Sequence, residues 1–147
     1  MKAGGRPNLN FAAPPVRMSN AIPIEVSPGE LIDKLTILEI KLDRIRDPQK
    51  LKNVETEHAT LRSAYETHVP ASETLGSLVD ELREVNLRLW TIEDNIRSCE
   101  TRQEFGRAFV SLARSVYLTN DRRSELKRQI NALLGSKLRE EKSYGPY

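Results

Sequence analysis

The sequence predicts an all-α protein, either an antiparallel four-helix bundle or two stacked helical hairpins with coiled-coil-like packing. Of its 147 residues, 30% are charged and only 5% aromatic, a composition that favours helices over a β-sandwich. Between residues 75 and 99, apolar side chains recur at alternating steps of three and four, and such a stripe must be buried against another helix. Its members are Leu75, Leu78, Leu82, Val85, Leu89, Ile92, Ile96 and Cys99. Helix-start signals on both sides of this stretch are the third observation.

The first predicted helix begins at Ser27-Pro28-Gly29-Glu30, which combines a capping serine, a proline at the first helical position and the Glu of a capping box. It extends to about Arg46. Apolar residues cover most of its circumference, so it is expected to be the most buried helix. The members of its main stripe are Leu31, Leu35, Leu38, Leu42 and Ile45.

The second predicted helix spans about Pro48 to His68, with Asp47 as its cap. Its very short connection to the first helix requires an antiparallel hairpin. The inward stripe of this helix is more polar than the others and includes His58. A histidine there is expected to be hydrogen-bonded at a helix contact, with metal ligation or proton transfer as the lesser alternative.

The third and fourth predicted helices are the longest. The third begins after Ser72 and runs to about Glu100. A second capping-box pattern, Thr101 to Glu104, predicts that the fourth begins near Arg102 and ends at about Leu134, before Gly135. Because these two helices exceed the first two in length, one end of their hairpin is expected to project or to pair with a second copy.

Three segments are predicted along the chain. Residues 1–21 are rich in Gly, Pro, Asn and Ala, lack periodicity, and are expected to be a disordered extension. Translation from Met18 instead of Met1 is an open alternative. Residues 22–135 form the helical bundle domain, and residues 136–147 form a C-terminal tail without a helical stripe.

Composition also limits the function classes. No apolar run is long enough to cross a bilayer, and the N-terminus lacks the apolar core of a secretory signal. A single cysteine, Cys99, excludes an internal disulfide and a cysteine metal cluster. A cytoplasmic location without membrane binding is therefore expected.

The net charge of +2 is unevenly distributed along the chain. Residues 1–17 carry +3, residues 18–100 carry −6 from 10 basic and 16 acidic groups, and residues 101–147 carry +5 from 10 basic and 5 acidic groups. A basic last helix beside an acidic body predicts internal ion pairing first, and an anionic partner second.

The candidate site lies where the fourth helix interrupts its own apolar stripe, at Thr119 and Arg123. Polar groups at such positions need partners, because an unpaired buried charge is costly. On the first helix Asp33 and Glu39 are candidate partners, with Lys34 and Lys41. The predicted ligand-binding set on the third and fourth helices is Asn86, Trp90, Glu93, Arg97, Arg114, Tyr117, Asn120 and Asp121.

Three interpretations of these residues are open. The first is a buried polar network that fixes the register of the helices. The second is a pocket for an anionic or sugar-like ligand, anchored by Arg97, Arg114 and Arg122 and walled by Trp90 and Tyr117. A metal site built from Glu39, Glu93, Asp94 and Asp121 is disfavoured, since adjacent Glu93 and Asp94 point to different faces. No metal and no cofactor is predicted.

Recognised catalytic motifs are missing from the sequence. It contains no glycine-rich phosphate loop, H-E-x-x-H motif, paired cysteines or nucleophile elbow. The basic residues of the fourth helix alternate with acids and are not interleaved with aromatics, which disfavours nucleic-acid binding.

Longer strings carry a resemblance to a known family. They are SPGELIDKLTILEIKLDRIRDPQKLKNVETE (27–57), LWTIEDNIRSCE (89–100), FGRAFVSLARSVYLTNDRRSELKRQINALLGS (105–136) and EEKSY (140–144). Together they resemble an uncharacterised bacterial domain family of unknown function, over about residues 22–144. The resemblance implies a small helical protein linked to cell-surface polysaccharide and glycosyl-transfer machinery. It implies no catalytic residues.

Three functions follow as hypotheses. The first is a non-enzymatic helical adaptor that self-associates or binds a protein partner through the polar face of helices 3 and 4 and the EEKSY tail. The second is a small all-α enzyme or ligand-binding bundle with an inter-helix site for an anionic or sugar-phosphate ligand. The third is a nucleic-acid binder. Only the second requires a shared cavity with unpaired charges, lined by Trp90, Glu93, Arg97, Arg114 and Tyr117.

Overall fold

A computed structural model describes residues 20–147 and confirms the all-α prediction. The chain forms α1 (Pro28–Arg44), α2 (Pro48–His68), α3 (Glu73–Arg102) and α4 (Arg107–Leu133), and no strand occurs in the described range. Residues 1–19, which include most of the expected N-terminal extension and Met18, lie outside the described residues. At 1.5 Å per residue, α3 is about 45 Å long and α1 about 25 Å.

The helices are arranged as two hairpins that meet through α1. Helices α3 and α4 form the most extensive contact, and α1 packs against both of them. Within the described range, α2 approaches only α1 closely. This arrangement matches the stacked-hairpin form of the prediction, with α1 as the central layer and α2 outside it.

The apolar core lies where α1 crosses the α3–α4 hairpin. Ile32 of α1, Leu75 and Leu82 of α3, and Leu126 and Ile130 of α4 form one cluster, and each has at most 1% of its surface exposed. The stripe predicted on the third helix faces inward. Its residues Ile92 and Cys99 are also buried, and the remaining four members are half-buried: Leu78, Val85, Leu89 and Ile96.

Helix α1 has more buried residues than any other helix of the described range, as predicted. Its first turn lies so close to α4 that a glycine is needed there. A Cβ atom added to Gly29 would lie 2.6 Å from the carbonyl oxygen of Lys127 and 2.8 Å from Oδ1 of Asn131. The Gly29 amide uses this proximity to donate a 2.8 Å hydrogen bond to the same Oδ1 atom.

Local hydrogen bonds confirm three of the predicted helix starts. The side chain of Ser27 accepts from the Glu30 amide at 3.2 Å, and Asp47 accepts from Lys50 at 2.8 Å. Ser72 caps α3 in the same way. Each bond satisfies one of the backbone donors that a helix N-terminus leaves unpaired.

The second predicted capping box, at residues 101–104, is wrong. Thr101 and Arg102 are the last residues of α3, and α4 begins only at Arg107, without a side-chain cap. Gln103 adopts a left-handed conformation (φ 55°) and its amide donates to the carbonyl of Glu100, while the Glu104 amide donates to Cys99. These bonds satisfy carbonyls at the end of α3, so the segment terminates one helix instead of starting the next.

The polar contacts between α1 and the hairpin are confined to one part of it. They involve Arg83 and Asn86 of α3, and residues 123–131 of α4. In the described chain, α1 makes no hydrogen bond or ion pair with residues 103–118. On that segment Phe105, Val110 and Leu118 are 46–52% exposed.

None of the four helices has the length and apolar character that crossing a membrane would require.

The close approach at Gly29 predicts that Gly29→Ala is destabilising. The added methyl group forces α1 away from α4, which is expected to lower the free energy of unfolding by about 1–3 kcal/mol. Gly76→Ala is the matched control, because its Cβ meets nothing within 4 Å inside a helix and should stabilise by about 0.5–1 kcal/mol. Urea unfolding of both variants measures the difference; equal effects would contradict the tight contact.

Candidate functional site

A buried polar network joins α1, α3 and α4 at the centre of the candidate site. The carboxylate of Asp33, only 1% exposed, accepts hydrogen bonds from both Asn86 and Arg123. The distances are 2.9 Å from Nδ2 of Asn86 and 2.9 Å from Nε of Arg123, and a second guanidinium nitrogen of Arg123 also contacts this carboxylate. Asn86 further donates to Thr36 Oγ1, which donates to the Asp33 carbonyl oxygen. Within the described chain, the members of this network therefore bond to one another.

Arg123 of α4 compensates the negative charge of Asp33. The hydrogen bond from Arg123 to Asp33 raises the pKa of the guanidinium, although partial burial opposes the change. A two-pronged arginine contact of this kind fixes direction as well as distance. The interruption of the α4 stripe at Arg123 is thus explained by a partner on α1, in keeping with the interpretation that the network sets helix register.

A second polar cluster ties the start of α1 and the tail to one lysine of α4. Nζ of Lys127 lies 2.8 Å from a carboxylate oxygen of Glu30 and 2.7 Å from one of Glu140. Burial lowers the pKa of Lys127, but the bonds to Glu140 and Glu30 outweigh it, so the net shift is upward. The same contact holds the pKa of Glu140 below its usual value. Glu30 therefore binds Lys127 across the helices instead of closing a capping box with Ser27.

The structure brings four of the eight predicted ligand-binding residues to one cavity beside this network. Asn86, Trp90, Glu93 and Arg97 line a space of about 350 Å³, together with Ile37, Leu89, Asp94 and Arg123. Neither Glu93 nor Arg97 forms an ion pair within residues 20–147. We call this space the α3 cavity.

Three more of the predicted residues lie in a separate and larger groove between α4 and the C-terminal tail. We call this space of about 590 Å³ the tail groove. Its lining residues are Val116, Tyr117, Asn120, Asp121, Lys142, Tyr144 and Tyr147. The eighth residue, Arg114, lines a shallow depression further along α4, although its Nε lies 3.4 Å from the Tyr117 hydroxyl. The eight predicted residues therefore do not form one site.

A small polar cavity of about 210 Å³ shares lining residues with both spaces. It shares Arg123 with the α3 cavity, and Asn120 and Lys142 with the tail groove. Its remaining lining residues are Glu30, Ser124, Lys127 and Glu140. The three spaces are therefore neighbours beside α4.

Residues of the tail line this region, although the sequence predicts a role for the EEKSY tail only in partner binding and not in the ligand site. Lys142, Tyr144 and Tyr147 lack any helical periodicity, so no pattern placed them beside α4. The hydroxyl of Tyr147 donates to the carboxylate of Asp121, and its ring centroid lies 5.4 Å from that of Tyr117. In the sequence, only the EEKSY string, which is part of the family resemblance, indicates that this segment has a role.

Metal ligation receives no support from the described residues, among which no group of three His, Cys, Asp or Glu side chains could hold an ion. Asp121 binds Tyr147, and Glu39 forms an ion pair with Arg83 at 2.9 Å. His58 is half-buried on α2, and its Nε2 atom is buried without a hydrogen-bond partner in the described part of the chain.

The model of a family of unknown function (DUF6165) matches residues 22–146, almost the whole of the chain that the structure describes. No curated protein and no solved structure matches the sequence.

The network predicts unequal effects for two arginines of the candidate site. Arg123→Ala leaves the Asp33 carboxylate buried without its cation, so we expect a loss of about 2–4 kcal/mol in unfolding free energy. Arg97→Ala removes an exposed side chain without an ion pair, and its effect should stay within about 0.5 kcal/mol. Denaturant unfolding at pH 7 measures both, and an unchanged stability of the Arg123 variant would refute the role of the network.

The Lys127–Glu140 contact predicts that acid releases the tail. Because the folded pKa of Glu140 is lowered from its ordinary 4.5, its stabilising effect is complete above that pH and is lost as pH falls through the folded value. The raised pKa of Lys127 places the alkaline loss above 10.5. Carbon-detected NMR spectra recorded against pH should show the signals of residues 140–147 moving at both limits.

Glu140→Gln should release the tail already at neutral pH, whereas Glu141→Gln, which removes a carboxylate without an ion pair in residues 20–147, should leave the spectrum of the tail unchanged. Identical spectra for the two variants would show that the ion pair does not hold the tail.

Proposed function

The chain belongs to DUF6165, a family of unknown function, and we propose that it is a helical interaction protein that binds an acidic segment of another protein. The binding surface is the outer face of α4, which we define as Arg107, Val110, Ser111, Arg114, Ser115 and Leu118. These residues line one open depression of about 410 Å³.

Exposure of apolar residues is the observation that carries this proposal. Val110 is 52% exposed and Leu118 46% exposed, on the segment of the hairpin that α1 does not contact through polar groups. The small side chains of Ser111 and Ser115 line the same depression. Apolar side chains exposed together in a depression with a polar border are typical of protein-interaction sites.

The charges of the same face indicate which partner it fits. Further along α4, Arg122 pairs with Glu81 of α3, and Arg123 pairs with Asp33 of α1. By contrast, Arg107 and Arg114 form no ion pair among the described residues, and no carboxylate lines their depression. An amphipathic segment with clustered Asp or Glu residues would supply both the apolar contact and the missing counter-charges.

A different protein fits this face better than a second copy does. A symmetric contact through the outer face would bring two copies of Arg107 and two of Arg114 into one interface. Like charges placed together oppose association. Self-association through this face is therefore an outcome against the proposal.

The proposal includes a cytoplasmic location, which a single buried thiol, Cys99, suits. A link to cell-surface polysaccharide assembly enters only through the family resemblance.

A ligand-binding function is the second candidate, and the α3 cavity favours it. Trp90, Glu93 and Arg97 line that cavity, and the last two have no ion pair within the described range. Arg114 and Tyr117, expected at the same place, line other spaces.

Photo-crosslinking tests the interaction function. A photoreactive amino acid at position 110 of the full chain, expressed in the source cells, should form an adduct with another protein whose crosslinked peptide is acidic. Arg107→Glu with Arg114→Glu should reduce the adduct yield several-fold, because the face then repels its partner. Lys50→Glu with Lys52→Glu is the matched charge reversal on α2 and should leave the yield unchanged.

Adducts formed only between copies of this chain, or adducts insensitive to the α4 reversals, would contradict the proposed partner. Circular dichroism of both double variants must show the same helix content, which confirms that neither reversal acts by unfolding the bundle.

A further inference from the structure

We propose that the tail groove is a binding site for a saccharide. This inference is independent of the interaction function, since none of the six residues of the α4 outer face lines the groove. It rests on three features of the groove: its aromatic rings, its polar wall and its balance of charge.

Three tyrosine rings surround one space and remain accessible from solvent. Tyr144 is 76% exposed, Tyr147 80% and Tyr117 41%. The rings of Tyr117 and Tyr147 lie 5.4 Å apart at 58° to each other, so they form an angled apolar wall. Ring faces of this kind stack well on flat or apolar ring surfaces of a ligand.

The orientation of the terminal ring is fixed by a hydrogen bond. The hydroxyl of Tyr147 donates to Asp121, and this bond raises the pKa of the phenol above its ordinary value. The bond holds one edge of the ring against α4 and leaves the remainder exposed.

Polar groups of both kinds line the same groove. Asn120 supplies amide donors and an acceptor, Asp121 a carboxylate and Lys142 an ammonium group. Asn120 and Lys142 also line the adjoining polar cavity, where Ser124 adds a hydroxyl. A ligand that rests on the tyrosines therefore meets donors and acceptors along its edge.

The charges beside the groove favour a neutral ligand. Arg123 already binds Asp33, and Lys127 already binds both Glu30 and Glu140. Lys142 lies 4.0 Å from Glu140. A phosphate would have to displace these carboxylates or lie against them, which costs free energy.

A purely apolar ligand fits no better, because it would remove water from Asp121 and Lys142 without replacing their hydrogen bonds. A sugar ring offers apolar C–H faces for the tyrosines and neutral hydroxyl groups for the polar wall. The space of about 590 Å³ is within the range typical of small-molecule sites.

NMR titration of the isotope-labelled full chain tests this inference. The probes are short oligosaccharides of glucose, galactose, mannose and N-acetylglucosamine, with glucose 1-phosphate, uridine monophosphate and inorganic phosphate as separate arms. At least one neutral oligosaccharide should shift amides of residues 116–121 and 142–147. The fluorescence of Trp90, the only tryptophan, should not change, because it lies in the α3 cavity.

Variants then identify the groove. Tyr144→Ala and Tyr147→Ala should each weaken saccharide binding about tenfold, the equivalent of about 1.4 kcal/mol. Tyr147→Phe, which keeps the ring and loses the bond to Asp121, should weaken it less. Phe105→Ala removes an exposed ring at the α3–α4 turn and should leave binding unchanged.

Four outcomes would overturn the inference: no saccharide shift at the highest soluble concentration, binding of the phosphorylated probes alone, shifts confined to the α3 cavity, or equal losses in the Phe105 and tyrosine variants. The photo-crosslinking result at position 110 is unaffected by any of them, so the two proposals can fail separately.

Discussion

The structure depends on the pairing of one buried carboxylate. Asp33 lies at the junction of α1, α3 and α4, almost fully removed from water, and a charge in that position is tolerated only with partners. Arg123 supplies the counter-charge from α4, and Asn86 a further hydrogen bond from α3. The apolar residues around Ile32 supply most of the driving force for packing, but they would accept small changes of register. The bonds to Asp33 are directional, and two of its partners, Asn86 and Arg123, also line the α3 cavity.

Much of the fold can be predicted from the sequence, because the spacing of apolar residues and the capping residues both indicate where helices lie. Ser27, Asp47 and Ser72 accept the expected backbone hydrogen bonds. The prediction for the turn after α3 is wrong because Thr101 and Glu104 have the spacing of a helix-start signal. That pattern alone cannot show that the backbone at Gln103 enters the left-handed region and closes the preceding helix.

The candidate site was accessible only in part. The interrupted stripe at Arg123 indicates that this residue needs a partner, and Asp33 of the first helix is one of the candidates. Helical spacing predicts one site for Arg114, Asn120 and Asp121. In the structure Arg114 lines the depression on the outer face of α4, whereas Asn120 and Asp121 line the tail groove. The tail has no period from which its path could be read, and its position depends on long-range contacts such as Lys127 with Glu140.

The hydrogen bond between Asp33 and Arg123 spans 90 positions of the chain. During synthesis on the ribosome, α1 therefore emerges long before the arginine that neutralises its carboxylate. The nascent α1–α2 hairpin has to keep Asp33 hydrated until α4 has been made, and only then can α1 take its final place. The Asp33 carboxylate of α1 can therefore be buried with its counter-charge only after α4 is complete.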